Sequence, residues 1–252
     1  METTAERGRV RVEAAPKRVR VVLGGMVVAD TTDAVYVWEN PSYPQYYIPV
    51  SDLAPGALKE TGTTSRSPSR GTARHYSVHG GDRVAKDAAW CYADSPLEAL
   101  RERVRFDWGA MEAWFEEDEE VFVHPRSPYT RVDILRASRS VRIEVEGQVV
   151  ADTTHPTFLF ETGLPRRTYV PKLDVRMDLL DPTDSMTMCP YKGTARYWSI
   201  RAGGTVHPDL AWSYDAPFRE SAPIAGLVAF YDEKVDVFVD GERQARPKTV
   251  FS

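Results

Sequence analysis

Apolar and polar residues alternate in short runs along the chain, and a period of two predicts β-strands. Val141, Ile143 and Val145 alternate with polar neighbours, Glu146-Gly147 offers a turn, and Val149 and Ala151 resume the alternation, which is the pattern of a β-hairpin. The same pattern stands earlier, around Val19 to Asp30, with Gly24-Gly25 at its turn. Segments Thr157 to Glu161, Ala195 to Arg201, Leu210 to Tyr214 and Val235 to Asp240 are short, rich in aromatic and β-branched residues, and bounded by Gly, Pro or Asp. These read as further strands.

The hairpin recurs because the chain repeats itself. Val27-Val28-Ala29-Asp30-Thr31-Thr32 returns as Val149-Val150-Ala151-Asp152-Thr153-Thr154, a spacing of 122 (149 minus 27). That spacing also maps Glu39 onto Glu161, Tyr47 onto Tyr169, Asp52 onto Asp174, Gly71-Thr72-Ala73-Arg74 onto Gly193-Thr194-Ala195-Arg196, and Trp90-x-Tyr92 onto Trp212-x-Tyr214. Beyond this point the register is expected to break at an insertion in copy one ending at Phe115, with Val121-Phe122-Val123 matching Val237-Phe238-Val239. The copies are placed at residues 19–136 and 140–241, with a linker at 137–139 and disordered tails at 1–18 and 242–252.

One helix per copy is expected after the Trp-x-Tyr strand. In copy one Ser95 can cap, Pro96 suits the first helical position, and Glu98 completes a capping box. Leu97, Leu100, Val104, Trp108 and Met111 then follow helical spacing. Copy two has Asp215-Ala216-Pro217 and a shorter element. The acidic run Glu116 to Glu120 reads as a solvated turn, since contiguous carboxylates cannot all converge on one ion.

At 252 residues the chain is long enough for two small cores. A formal charge of -5 argues against nucleic acid as the main partner. Cys91 and Cys189 stand alone, without Cys-x-x-Cys or paired histidines, so neither a zinc site nor a disulfide framework is expected. No cofactor is implied. The opening Met1 to Lys17 has no apolar core, and no segment reaches the roughly 20 apolar residues of a membrane span. The expectation is a soluble, cytoplasmic protein without membrane partners.

Copy two carries Tyr169-Val170-Pro171, Asp174-Val175-Arg176, Cys189-Pro190-Tyr191-Lys192-Gly193-Thr194-Ala195, Ala211-Trp212-Ser213-Tyr214 and Ala229-Phe230-Tyr231. In these residues it resembles the family called domain of unknown function 427. Copy one resembles the same domain with part of the pattern lost, Ser67, Ser69 and Arg70 replacing the motif cysteine, tyrosine and lysine. The resemblance implies a mainly β fold with one short helix per domain: a tandem pair of Mss4-like or β-tent domains of small antiparallel sheets, without zinc. Some members carry a nucleotidyltransferase label. This chain shows neither a Gly-rich phosphate loop nor the paired aspartates that a metal-dependent transfer needs.

Candidate chemistry gathers in copy two. Lys192 can bind an anion or act as base or amine nucleophile, and Cys189 can act as nucleophile given a base, for which His207 is the nearest histidine. Asp174 is a supporting carboxylate, or a structural brace paired with Arg196. Trp212 and Tyr214 lie two apart and share a strand face; Trp198 pairs likewise with Ile200. The leading expectation is a small-molecule pocket for an anionic or aromatic metabolite, lined by Tyr191, Lys192, Arg196, Trp198, Trp212 and Tyr214. The alternatives are an enzyme using Lys192, Cys189 and Asp174, and a protein-interaction module in which the two repeats pack together.

Overall fold

The computed structural model describes residues 10–249 and residue 252. Its strands are antiparallel and form four sheets, one of seven strands and one of four in each half, and the halves divide between Ser127 and Pro128. In the second half the large sheet runs Val132–Arg136, Thr157–Glu161, Arg167–Val170, Val228–Phe230, Thr205–Ser213, Gly193–Ala202, Leu180–Cys189. The small sheet runs Gln148–Thr153, Val141–Val145, Asp236–Val239, Glu242–Arg243. The first half repeats this order with Arg11–Ala14, Val35–Asn40, Tyr43–Pro49, Arg103–Phe106, Arg83–Cys91, Gly71–Gly80 and Leu58–Ser67, over a small sheet centred on Val19–Leu23.

Alternation gives each large sheet two apolar faces. In the second half Val170, Ile200, Ala211 and Phe230 point toward Val141, Ile143 and Val237 of the small sheet and form the main core. The opposite face carries Leu159, Tyr169, Ala195, Tyr197, Trp212 and Tyr214, against Ile224 from the 3-10 turn Arg219–Ile224. In the first half the inner face holds Tyr36, Ile48, Val104 and Phe106, and the outer face Val35, Val37, Tyr47, Ala73, Tyr92 and Leu100. Each fully buried large side chain contributes roughly 1.5–3 kcal/mol relative to exposure, so both faces count toward stability.

The helix predicted from Ser95 does not form. That stretch is a 3-10 turn, Glu98–Leu100, then the strand Arg103–Phe106 and a second turn, Trp108–Ala110. Val104 and Phe106 are buried in the main core, and the strand fills the place between Tyr43–Pro49 and Arg83–Cys91, whose backbone groups would otherwise lack partners. Sheet completion therefore outweighs the helical spacing. The closing strand is also set differently from expectation: Ala113–Glu116 pairs with Val19–Leu23, so Trp114 stands where Val237 stands in the second half and no insertion ends at Phe115. Glu116 is accordingly buried, taking the Tyr46 hydroxyl at 2.8 Å and Lys17 at 2.5 Å, while only the later part of the acidic run is a solvated turn.

Val132–Arg136 pairs with Thr157–Glu161, so these residues open the second half rather than close the first. Parts of both expected tails are strands: Arg11–Ala14 pairs with Val35–Asn40, and Glu242–Arg243 with Asp236–Val239. Residues 1–9, 250 and 251 lie outside the described residues. Among the described residues no helix is long and apolar enough to cross a membrane.

Both large sheets end in an open ten-residue strand interrupted at the same place. The register shifts between Glu60 and Thr64 in Leu58–Ser67, and between Pro182 and Met186 in Leu180–Cys189. Asp87 accepts the Thr61 hydroxyl in the first bulge, and Asp209 accepts those of Thr183 at 2.6 Å and Ser185 at 2.7 Å in the second.

Candidate functional site

The hairpin joining Leu180–Cys189 to Gly193–Ala202 carries Cys189, Tyr191 and Lys192. Gly193 sits at φ +97°, a conformation that favours glycine and turns the chain into the strand. The segment after Tyr214 holds this turn in place: the Phe218 N–H donates to the Lys192 carbonyl at 3.1 Å, and the Ser221 hydroxyl to the Tyr191 carbonyl at 3.1 Å. The Lys192 ammonium thereby meets the Glu161 carboxylate, and the two side chains are only 11% and 9% exposed.

Tyr169 and Tyr214 stand beside that pair. Burial pushes the Tyr214 phenol far above its ordinary range, and Tyr169, Cys189, Tyr197 and Glu161 around it act in the same direction. The Tyr169 phenol is raised by burial too, against a hydrogen bond from Trp212. Both phenols thus stay neutral. Trp212 packs on Tyr231, ring centres 4.6 Å apart, and Tyr197 bonds to Thr187 at 2.8 Å. Arg167 lies over Trp212 at 5.8 Å and forms a bidentate pair with Glu233 at 2.7 and 2.6 Å.

The structure therefore gathers Lys192, Cys189, Trp212 and Tyr214 on the outer face of the large sheet, with Tyr191 present through its carbonyl. Other expected residues lie elsewhere. Trp198 packs against the main core on the inner face, with Lys172 at 5.5 Å from its ring. Arg196 is 62% exposed and faces Asp215 at 3.9 Å. The strand period explains this, because Trp198 is paired with Ala211 while Tyr197 is paired with Trp212. Asp174 accepts the Thr153 hydroxyl at 2.6 Å beside the small sheet, and Asp52 accepts Thr31 identically, so the brace expected with Arg196 is a Thr–Asp bond instead. His207 pairs with Ile200 while Cys189 pairs with Gly193, seven residues along the same strand (200 minus 193), or roughly 23 Å at 3.3 Å per residue. It cannot serve the thiol.

Glu161 and Tyr169 are the site members the sequence reading passed over as repeat landmarks. Their signal was present: a Glu and a Tyr held at one spacing in both copies. Copy one keeps the constellation in altered form. The Tyr47 hydroxyl donates to Glu39 at 2.5 Å, Arg70 replaces the lysine at 3.7 Å from Glu39, and Arg105 reaches Glu39 at 3.0 Å. Among the described residues no three His, Cys, Asp or Glu side chains converge in a way that could hold a metal ion.

Fold and site together define a duplicated two-sheet β domain with a polar aromatic cluster on the outer face of each large sheet. The chain belongs to the family described as domain of unknown function 427, NTP_transf_9, whose model matches residues 11–117 and 133–241, one match per repeat. No curated protein matches it.

Proposed function

We propose that the protein binds a small metabolite at the outer face of the second repeat, through Lys192, Glu161, Tyr169, Tyr214 and Trp212. The observation that carries this reading is the buried Lys192–Glu161 pair set among neutral phenols and an indole. Two charges out of water add little to stability by themselves, because desolvation offsets most of their attraction. Their placement beside hydrogen-bonding aromatics suits recognition. Because Glu161 neutralises Lys192, the cluster favours an aromatic ligand with hydrogen-bonding groups over a plain anion. We also read each repeat as a zinc-free Mss4-like or β-tent domain, supported by its two packed antiparallel sheets.

Thermal unfolding of the full chain against a panel of nucleosides, aromatic acids and nucleoside triphosphates with and without magnesium tests the reading. A ligand at 100 times its dissociation constant adds about 2.7 kcal/mol. That shift is expected in the parent and absent in Lys192→Met. No shift across the panel, or one that survives the substitution, contradicts the site.

A further inference from the structure

The first repeat differs from the second in the charge it collects at the same place. Arg70 and Arg105 both lie against one carboxylate, Glu39, at 3.7 and 3.0 Å, and the three side chains are 16%, 19% and 12% exposed. Two guanidinium groups and one carboxylate leave a formal excess of one positive charge in a nearly buried set, on a chain whose net charge is -5. The second repeat has no such excess, since Lys192 is matched by Glu161, and Ala229 takes the strand position of Arg105 opposite the tryptophan.

Both guanidinium groups also lie against aromatic rings. Arg105 lies over Trp90 at 4.5 Å, and Arg70 over Tyr92 at 5.6 Å with its Nε donating to the Tyr92 hydroxyl at 3.4 Å. His75 packs on the same Trp90 at 5.6 Å and bonds to Ser65 at 2.7 Å. The Nε of Arg105 is buried without a hydrogen-bond partner. A buried cationic donor with no acceptor is costly unless something supplies one. Planar guanidinium forks match the oxygen geometry of carboxylates and phosphates, which a single lysine does not.

We propose that the first repeat holds a binding site for a small oxyanion, a phosphate or carboxylate group, clamped by Arg70 and Arg105 and walled by Trp90 and Tyr92. The copy that has lost the motif cysteine and lysine is then a changed site and not an empty scaffold. This proposal stands on the first repeat alone and is independent of the ligand reading for the second.

The test is titration of the full chain with inorganic phosphate and, separately, succinate, followed by tryptophan fluorescence and by the arginine Nε–Hε NMR signals, with sodium chloride at matched ionic strength as the screening control. Saturable binding of at least one anion is expected, with the Arg105 Nε–Hε signal moving, and phosphate against succinate decides which source the site prefers. Arg105→Gln and Arg70→Gln are each expected to weaken binding at least tenfold, and Arg201→Gln, at the exposed pair with Asp181 in the second repeat, to leave it unchanged. No saturable response to either anion, a response equalled by chloride, or equal affinity in Arg105→Gln overturns the proposal. So does binding lost in Arg201→Gln but kept in both Arg70→Gln and Arg105→Gln. Should a glutamine variant fail to fold, the wild-type Arg105 signal decides alone: unmoved by both anions, it rules the site out.

Discussion

At the scale of the residue, Asp232 is a carboxylic acid that is nine-tenths buried. It borders a hollow of about 180 Å³ shared with Arg166 and Gln244, and its Oδ1 has no hydrogen-bond partner. Burial raises the carboxyl from 3.8 to about 7, against the pull of Arg167 and Arg166 and reinforced by Glu233. A folded value above the unfolded one means that the folded protein holds the proton more tightly. Stability from this group is therefore intact below roughly pH 4, and it declines as pH rises toward about 7. Asp232→Asn is expected to remove that decline, gaining on the parent between those limits and holding a constant advantage above them. Urea unfolding of both proteins at pH 5 and pH 8 measures it; parallel pH curves would refute the assignment. Next to it, the Arg167–Glu233 pair is buried and bidentate, with Thr249 also bonded to Glu233 at 2.6 Å. Glu233→Ala removes the bidentate carboxylate from that buried guanidinium and is expected to cost about 3–5 kcal/mol, read from the same denaturation curves.

At the scale of the element, two hairpins of the first half cross so closely that glycine is required. A Cβ on Gly80 would lie 2.2 Å from the Leu23 carbonyl oxygen, and one on Gly24 would lie 2.1 Å from that of Gly80. The second half has Glu146 and Ala202 at these positions, so its hairpins accommodate side chains. Gly80→Ala is expected to destabilise the first half by about 1–3 kcal/mol, with amide exchange in the second half unchanged. Hydrogen exchange resolved by residue separates the halves; equal loss in both would mean that they unfold together. The strands themselves were legible because alternation is a local property, as at Val141–Val145. The strand Arg103–Phe106 was not, because its apolar residues also fit a helical spacing and only the waiting neighbours on either side decide the matter. The candidate site was legible in part for a related reason: the loop holding Cys189 and Lys192 is contiguous in sequence, whereas Glu161 and Tyr169 reach it through sheet order. Trp198 was misplaced because Trp212 lies on the neighbouring strand, and which faces match depends on a register that sequence spacing does not contain.

At the scale of the molecule, the repeat was legible as a repeat, but its boundary was not. Val132–Arg136 looks like the end of copy one only until its pairing is known, and Ile134 packs on the outer face of the second half. A fragment of residues 128–252 is therefore expected to unfold at a higher temperature than one of residues 140–252, which loses that strand and leaves Thr157–Glu161 uncovered. Calorimetry on the two fragments checks this, and equal midpoints would show the strand to be dispensable. Duplication also doubles a hazard that the bulges described above address. Two similar open strands tethered on one chain meet each other at a millimolar effective concentration, far above that of separate molecules. A flat pair would be free to zip across repeats during folding and trap the chain in a swapped state. The kink at Glu60 to Thr64 and its twin at Pro182 to Met186 break the row of backbone donors and acceptors that such a mispairing needs. Asp87 and Asp209, which fasten these kinks through Thr61, Thr183 and Ser185, hold each edge in a shape that its sibling strand cannot extend as a flat ladder.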